Sequence, residues 1–179
     1  EGYLIKPKFI ECQRLGPFHK RVMDIGAVMD LMIHDIDIVQ GLMDVPVKDI
    51  QAIGVNVLTD KDDIANARLT FENGSVCNLT ASRISPEVMR KIRIFLPQAY
   101  ISLDYVKQEA FLYRKDGMKI AKESLPIEQE EPLKKELGHF IDCIREDKRP
   151  LVAGEEGRDA LKTALAIQEI IWTNHLRRS

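Results

Sequence analysis

The stretch DIGAVMDLMIHDIDIVQGLM, residues 24–43, is among the most apolar in the chain, yet its centre holds three carboxylates and a histidine. Its high apolar density and its lack of proline predict a helix from about Ala27 to Met43, closed by Gly41 and Pro46. A helix that is apolar nearly all round should be largely buried, so the polar side chains need an explanation.

Three of these polar side chains share one side of the predicted helix. An α-helix advances about 100° per residue, so Asp30, His34 and Asp37 fall within a narrow stripe. Asp35 stands apart, on a different side. Burying carboxylates is costly unless they meet a partner, a metal ion or a solvent-filled cavity.

Three interpretations of the stripe remain open on the residues alone. In the first, Asp30 and Asp37 cap or bridge loops and His34 is a hydrogen-bonded core histidine. In the second, D-x-x-x-H-x-x-D holds a metal ion, but no further His or Glu pair at helical spacing supports this, and no metal is expected. In the third, His34 removes a proton at neutral pH while Asp30, one turn earlier, orients its ring.

Length, composition and charge favour a single globular domain. The chain has 179 residues, 45% of them hydrophobic, with 26 basic and 28 acidic side chains. This near balance argues against a nucleic-acid partner, and no apolar run approaches the roughly 18 residues that span a membrane. The N-terminus lacks the layout of a signal peptide, and the three cysteines form no C-x-x-C pair. A cytoplasmic location is therefore predicted.

The remaining sequence predicts a sheet followed by two closing helices. Residues 7–15 are typical of a strand. Alternating apolar residues and short turns, among them Asn73-Gly74 as a type I′ turn, predict a five- or six-stranded antiparallel meander over about residues 48–124. Helices are expected at about 132–147 and 155–176. The predicted fold class is α+β, an open, mostly antiparallel sheet with helices packed on one face, forming one domain over residues 1–179.

Each closing helix has a predicted apolar face. In the first helix the face consists of Leu133, Leu137, Phe140, Ile141 and Ile144. In the second it consists of Leu161, Ala164, Leu165, Gln168 and Ile171.

Several basic and aromatic residues are weaker candidates for substrate binding. Arg14 ends the first strand, and Phe18 to Arg21, including Lys20, follow it in a loop. Arginine and lysine suit anionic substituents, so these residues are candidates for lining a sugar or phosphate pocket, although a solvated loop is equally compatible. Arg83 is a further candidate, with a surface arginine as its alternative.

The sequence resembles a known family. The stretch at residues 24–43 resembles the D-x-x-x-H segment in the substrate domain of the glucose-fructose oxidoreductase and inositol dehydrogenase family, often called Gfo/Idh/MocA. KPKFIECQRLGPF resembles that domain's first strand, and ELGHFIDCIREDKRPLVAGEEGRDALKTALAIQEI resembles its closing helices. The likeness covers essentially the whole chain.

The resemblance implies an enzyme that transfers a hydride between NAD or NADP and a hydroxyl of a sugar, nucleotide sugar or cyclitol. By position, His34 matches the family's catalytic histidine and Asp30 its aspartate partner. Asp37 is expected to hydrogen-bond a loop or a substrate hydroxyl. Family members also carry an N-terminal Rossmann domain for the dinucleotide, and residues before 27 contain no G-x-G-x-x-G or βαβ pattern. The chain is therefore expected to be a substrate domain alone, without turnover by itself.

A non-catalytic binding or assembly module that keeps only the fold is the alternative function. The resemblance also implies sheet-to-sheet oligomers. The sheet face away from the helices is predicted to carry short polar residues that suit such packing, namely Arg68, Thr70, Asn78, Thr80 and Ser82.

Overall fold

One eight-stranded sheet forms the framework of the domain. The structure is a computed structural model that describes residues 7–20 and 23–176. The strands are β1 (Phe9–Leu15), β2 (Val47–Val55), β3 (Ile64–Phe71), β4 (Val76–Ser82), β5 (Met89–Leu96), β6 (Ala99–Asp104), β7 (Glu109–Asp116) and β8 (Lys119–Leu125).

The first strand is inserted into the middle of the sheet. The strand order is β2-β3-β4-β1-β5-β6-β7-β8, with β1 parallel to β4 and antiparallel to β5. The predicted unbroken meander of five or six strands is therefore wrong in both count and continuity. Residues 83–88 connect β4 to β5 past the end of β1, so the two strands do not pair.

Two helices cover one face of this sheet. A π-helical turn, Val28–Met32, leads into α1 (Ile33–Met43), and α3 (Gly154–Leu176) packs beside α1 and over β2. Alternate residues of the central strands lie beneath them, and the largest fully buried side chains include Phe71, Ile10, Met32 and Ile36. The α+β fold class with helices on one face is confirmed, and no helix within residues 7–20 and 23–176 is long and apolar enough to cross a membrane.

The hairpin between β3 and β4 uses a different turn from the predicted one. Among residues 72–74 only Gly74 has a positive φ, of 77°, whereas a type I′ turn needs two. Gly74 N donates to Phe71 O, and Phe71 N donates to Ser75 O. This three-residue loop, with glycine in its left-handed position, is the other common hairpin connection.

Of the two closing helices, α3 buries only part of its predicted face, and the other buries none of it. In α3 the buried side chains are Ala160, Thr163, Ala164, Ile167 and Ile171, while Leu161 and Leu165 are exposed. The remaining helix, α2 (Pro132–Glu146), buries only Cys143, and all five residues of its predicted apolar face are exposed. The face predicted for α2 therefore exists as an apolar stripe but does not pack on the sheet.

Candidate functional site

The start of the helical segment is held by a buried carboxylate. Asp62 Oδ2 accepts a hydrogen bond from Val28 N at 2.9 Å, and Asp62 O accepts one from Ala27 N at 2.7 Å. A Cβ at Gly26 would lie 2.0 Å from Asp62 Oδ1, so only glycine leaves room for the carboxylate. Burial raises the pKa of Asp62. This contact anchors the segment that precedes the polar stripe.

The neighbouring Asp63 forms a second buried anchor. Its carboxylate accepts hydrogen bonds from the backbone N–H groups of residues 57–59 and from Arg83 Nε at 2.9 Å. Arg83 Nη1 donates to Ile25 O and its Nη2 to Thr59 Oγ1. Arg83 is 4% exposed, and all three of its guanidinium nitrogens are engaged inside the domain. It was predicted to bind substrate, but the contacts found here tie loops to the start of the helix.

The predicted stripe lies on the side of the helix away from the sheet. The ring of His34 is exposed, and Asp30 and Asp37 are half-buried. Asp30 belongs to the π-helical turn, whose closing hydrogen bond runs from Ile33 N to Val28 O and so encloses one residue more than an α turn. Neither the His34 ring nor the Asp30 carboxylate has a hydrogen-bond partner among the described residues.

Asp37 lies close enough to His34 for the two side chains to interact electrostatically. Burial and the nearby Glu156 raise the pKa of Asp37, while His34 acts in the opposite direction. Glu156 itself accepts hydrogen bonds from Arg149 and from Ala153 N, which lower its pKa. Asp37 therefore lies near the first turn of α3, and its charge would stabilise a proton gained by His34.

Asp35, the residue outside the stripe, pairs with Arg14. Arg14 Nε donates to Asp35 Oδ2 at 2.9 Å and Nη2 to Oδ1 at 2.8 Å. Their side chains are 13% and 8% exposed. Arg14 was predicted to bind substrate, whereas no role was predicted for Asp35. The pair fixes α1 to β1 immediately next to His34.

No hydrogen bond, ion pair or ring contact among the described residues joins the loop candidates Phe18 and Lys20 to the stripe. The Arg83 guanidinium carbon sits 5.4 Å from the ring centroid of Phe18, so Phe18 packs against the buried anchor. Lys20 is exposed. Arg21 falls outside the described residues. The substrate-binding roles of Phe18 and Lys20 stay predictions.

The described residues offer no alternative site built on a metal. Residues 7–20 and 23–176 contain no group of three or more His, Cys, Asp or Glu side chains placed to hold a metal ion. What the site does offer is an exposed imidazole next to carboxylates, held on a buried helix. That arrangement can accept a proton from a hydroxyl group brought against it.

Comparison with known proteins identifies the family. The GFO/IDH/MocA C-terminal domain matches residues 8–102, more than half of the chain. The chain belongs to the Gfo/Idh/MocA family. The resemblance inferred from its sequence is thereby confirmed.

A characterised Gfo/Idh/MocA relative is the UDP-N-acetylglucosamine 3-dehydrogenase of Acidithiobacillus ferrooxidans. It is 34% identical over 168 residues, which are 90% of this chain and 54% of the relative. A solved structure of that enzyme superposes with a TM-score of 0.88 and covers 94% of this chain. The chain thus spans about half the length of this relative.

More distant solved structures share the fold. An oxidoreductase domain protein from Kribbella flavida is 14% identical, with a TM-score of 0.82 over 94% of this chain and 57% of its own. An aldose-aldose oxidoreductase from Caulobacter crescentus, complexed with glycerol, is 17% identical, with a TM-score of 0.79 over 94% of this chain and 54% of its own.

Proposed function

We propose that this chain is the substrate-binding and catalytic-base half of an NAD(P)-dependent oxidoreductase that acts on a hydroxyl of a sugar, nucleotide sugar or cyclitol. The observation that supports this most is the exposed His34, set in the polar stripe of an otherwise buried helix. The relative that is 34% identical is a UDP-N-acetylglucosamine 3-dehydrogenase, and this favours a nucleotide sugar among these substrates.

In this proposal His34 accepts the proton of the substrate hydroxyl as the carbinol carbon is oxidised to a carbonyl. An imidazole suits this step because it exchanges protons near neutral pH. Asp37 stabilises the imidazolium that forms. The buried anchors at Asp62 and Asp35 hold the helix so that the ring stays in place during the reaction.

The start of the helical segment does not fit a dinucleotide. A helix N-terminus that binds pyrophosphate needs free N–H groups and a glycine that allows close approach. At the start of the π-helical turn, the carboxylate of Asp62 already caps Val28 N and fills the space beside Gly26. Its negative charge would also repel phosphate. We therefore assign NAD or NADP binding to a separate domain and no step with the dinucleotide to this chain.

The test is turnover by a protein in which this chain is joined to a cofactor domain. With nucleotide sugars, free sugars and inositols as substrates, His34→Ala should lower kcat by about 10²–10⁴-fold. His175→Ala, at the exposed end of α3, is the matched control and should leave kcat unchanged. Unchanged kcat in His34→Ala, together with a lower melting temperature, would favour the non-catalytic module.

Self-association through the open sheet face is part of the proposal. Aromatic rings form a row across four adjacent strands on that face, with neighbouring centroids 5.4, 5.3 and 4.3 Å apart. Each ring is half-buried, which leaves apolar surface for a partner. Light scattering should report a dimer or larger at tens of micromolar protein, and a monomer would contradict this. The row consists of Phe9, Phe95, Tyr100 and Tyr113.

A further inference from the structure

A cleft of about 400 Å³ opens beside α1, and its lining includes Ile38 of that helix but none of the three stripe residues. Ile38, one of its lining residues, lies four positions after His34, which is about 6 Å along an α-helix. Arg14, which also lines it, is bonded to Asp35, the residue next to His34. Because residues four apart share one face of an α-helix, a molecule whose hydroxyl reached His34 can extend past Ile38 into this cleft. Its volume falls within the range of small-molecule sites.

The walls of the cleft are fixed by specific contacts. Gln108 donates from its side chain to Glu130 O at 3.0 Å and accepts from Glu130 N at 3.1 Å. These two bonds pin the segment between β8 and α2 to the turn before β7. Lys135, in the first turn of α2, forms an ion pair with Glu130 at 3.1 Å. On the other side, Tyr105 N donates to Arg90 O at 2.8 Å.

The lining combines apolar surface with polar groups that have free bonding capacity. Ile38, Leu103 and Ile127 supply apolar surface. The side chains of Arg90, Glu109 and Glu128 form no hydrogen bond or ion pair with any described residue, so their polar atoms can serve a ligand. The hydroxyl of Tyr105 is protonated at neutral pH and can donate a hydrogen bond, and partial burial raises its pKa further, to about 12.

The charge of the lining argues against an anionic ligand. Carboxylates outnumber basic groups four to three, and two of the basic groups, Arg14 and Lys135, already pair with carboxylates. A diphosphate needs a surplus of positive charge. Carboxylates and a tyrosine hydroxyl instead suit the hydroxyl and amide groups of a sugar. The charged lining residues are Arg14, Arg90, Lys135, Asp104, Glu109, Glu128 and Glu130.

We infer that this cleft binds the uncharged, hydroxyl-bearing sugar part of the substrate and leaves any diphosphate outside it. Tyr105 and Glu128 are the groups that bind the sugar, and Ile38 and Leu103 pack against its apolar face. This inference rests on the proposed function, because that function puts the reacting hydroxyl at His34.

The experiment is an NMR titration of this chain with N-acetylglucosamine and, separately, with UDP. N-acetylglucosamine should shift the signals of Tyr105, Ile38 and Leu103, whereas UDP should leave them in place. Tyr105→Phe and Glu128→Gln, which keep the size of the side chain, should each weaken sugar binding by about fivefold, the worth of one hydrogen bond. Glu87→Gln, at an exposed residue between β4 and β5 that does not line the cleft, is the matched control and should bind as the unchanged chain does.

The outcomes separate this inference from the proposed function. If the sugar shifts His34 and Asp30 but not the cleft, or if UDP binds the cleft in place of the sugar, the inference is overturned while His34 keeps its proposed role. No binding of either compound also overturns it. If the sugar binds the cleft and His34→Ala keeps full turnover, the cleft assignment stands and the proposed function falls.

Discussion

Replacing Arg14 by methionine should destabilise the domain sharply. The substitution removes the cation but leaves the Asp35 carboxylate with its side chain 8% exposed. Breaking a buried ion pair on one side costs about 3–5 kcal/mol, and the partial exposure of Arg14 places the expected loss near the lower value. For a chain of this length that corresponds to a fall in Tm of roughly 6–12 °C.

The double variant Arg14→Met/Asp35→Leu distinguishes the loss of the ion pair from the cost of burying an unpaired carboxylate. It removes both charges and replaces them with apolar groups, so it should come within about 1 kcal/mol of the unchanged chain. Urea unfolding followed by circular dichroism measures all these free energies, and equal m values would show that the same surface is exposed each time.

A surface ion pair of the same sheet provides the matched control. Arg114 and Glu123 lie 2.6 Å apart, and both side chains are 51% exposed. Arg114→Met should therefore cost at most about 1 kcal/mol. If Arg14→Met costs no more than Arg114→Met, or if the double variant is as unstable as the single one, the buried pair does not hold α1 on β1.

Three further predictions concern the anchors of the helix. Gly26→Ala should lower the free energy of unfolding by about 1–3 kcal/mol, because the new Cβ displaces the carboxylate of Asp62 and leaves a buried N–H unbonded. Gly41→Ala, where a Cβ meets nothing within 4 Å, should be neutral or stabilise by up to about 1 kcal/mol, and equal effects in the two variants would refute the close packing. Asp44→Gly should raise the free energy of unfolding by about 0.5 kcal/mol, because the helix ends there with a φ of 49° that glycine adopts without strain. A slightly higher Tm would show this, and a fall in Tm would contradict it. Burial alone would raise the pKa of Asp63, but its hydrogen bonds lower the pKa overall, so its contribution to stability is complete above pH about 4 and is lost as the pH falls further. Unfolding free energies measured from neutral to acid pH should show this decline. The decline should be less steep in Asp63→Asn, and an equally steep decline in that variant would contradict the reasoning.

Local patterns in the sequence predicted the helix and most strands. The apolar run of residues 24–43 and the alternation in the strands each reflect burial of one face, which a local pattern records directly. The position of β1 was not predictable in the same way, because it depends on pairing with strands far away in the sequence. The face predicted for α3 shares Ala164 and Ile171 with the buried one, but packing buries Ile167 where the periodicity favoured Leu161 and Leu165.

The site around the polar stripe could be predicted only in part from the sequence. Helical periodicity predicted a common side for Asp30, His34 and Asp37, and none of the three is among the buried residues of the helical segment. It did not predict the π-helical turn, because Asp62, 34 residues after Val28, fixes the start of the helix. The pairing of Arg14 with Asp35 is also a tertiary contact. A sequence signal for the anchors does exist in the adjacent carboxylates of Asp62 and Asp63, which follow a loop and precede an apolar strand.

Rescue of a missing imidazole tests the central claim most directly. In a protein that joins this chain to a cofactor domain, His34→Gly removes an exposed ring and leaves its place open to solvent. Turnover should fall by at least about 100-fold and recover in part when free imidazole is added, since the added base can take the hydroxyl proton. Turnover by His34→Gly that equals that of the unchanged protein, with or without imidazole, would contradict the assignment of His34 as the base.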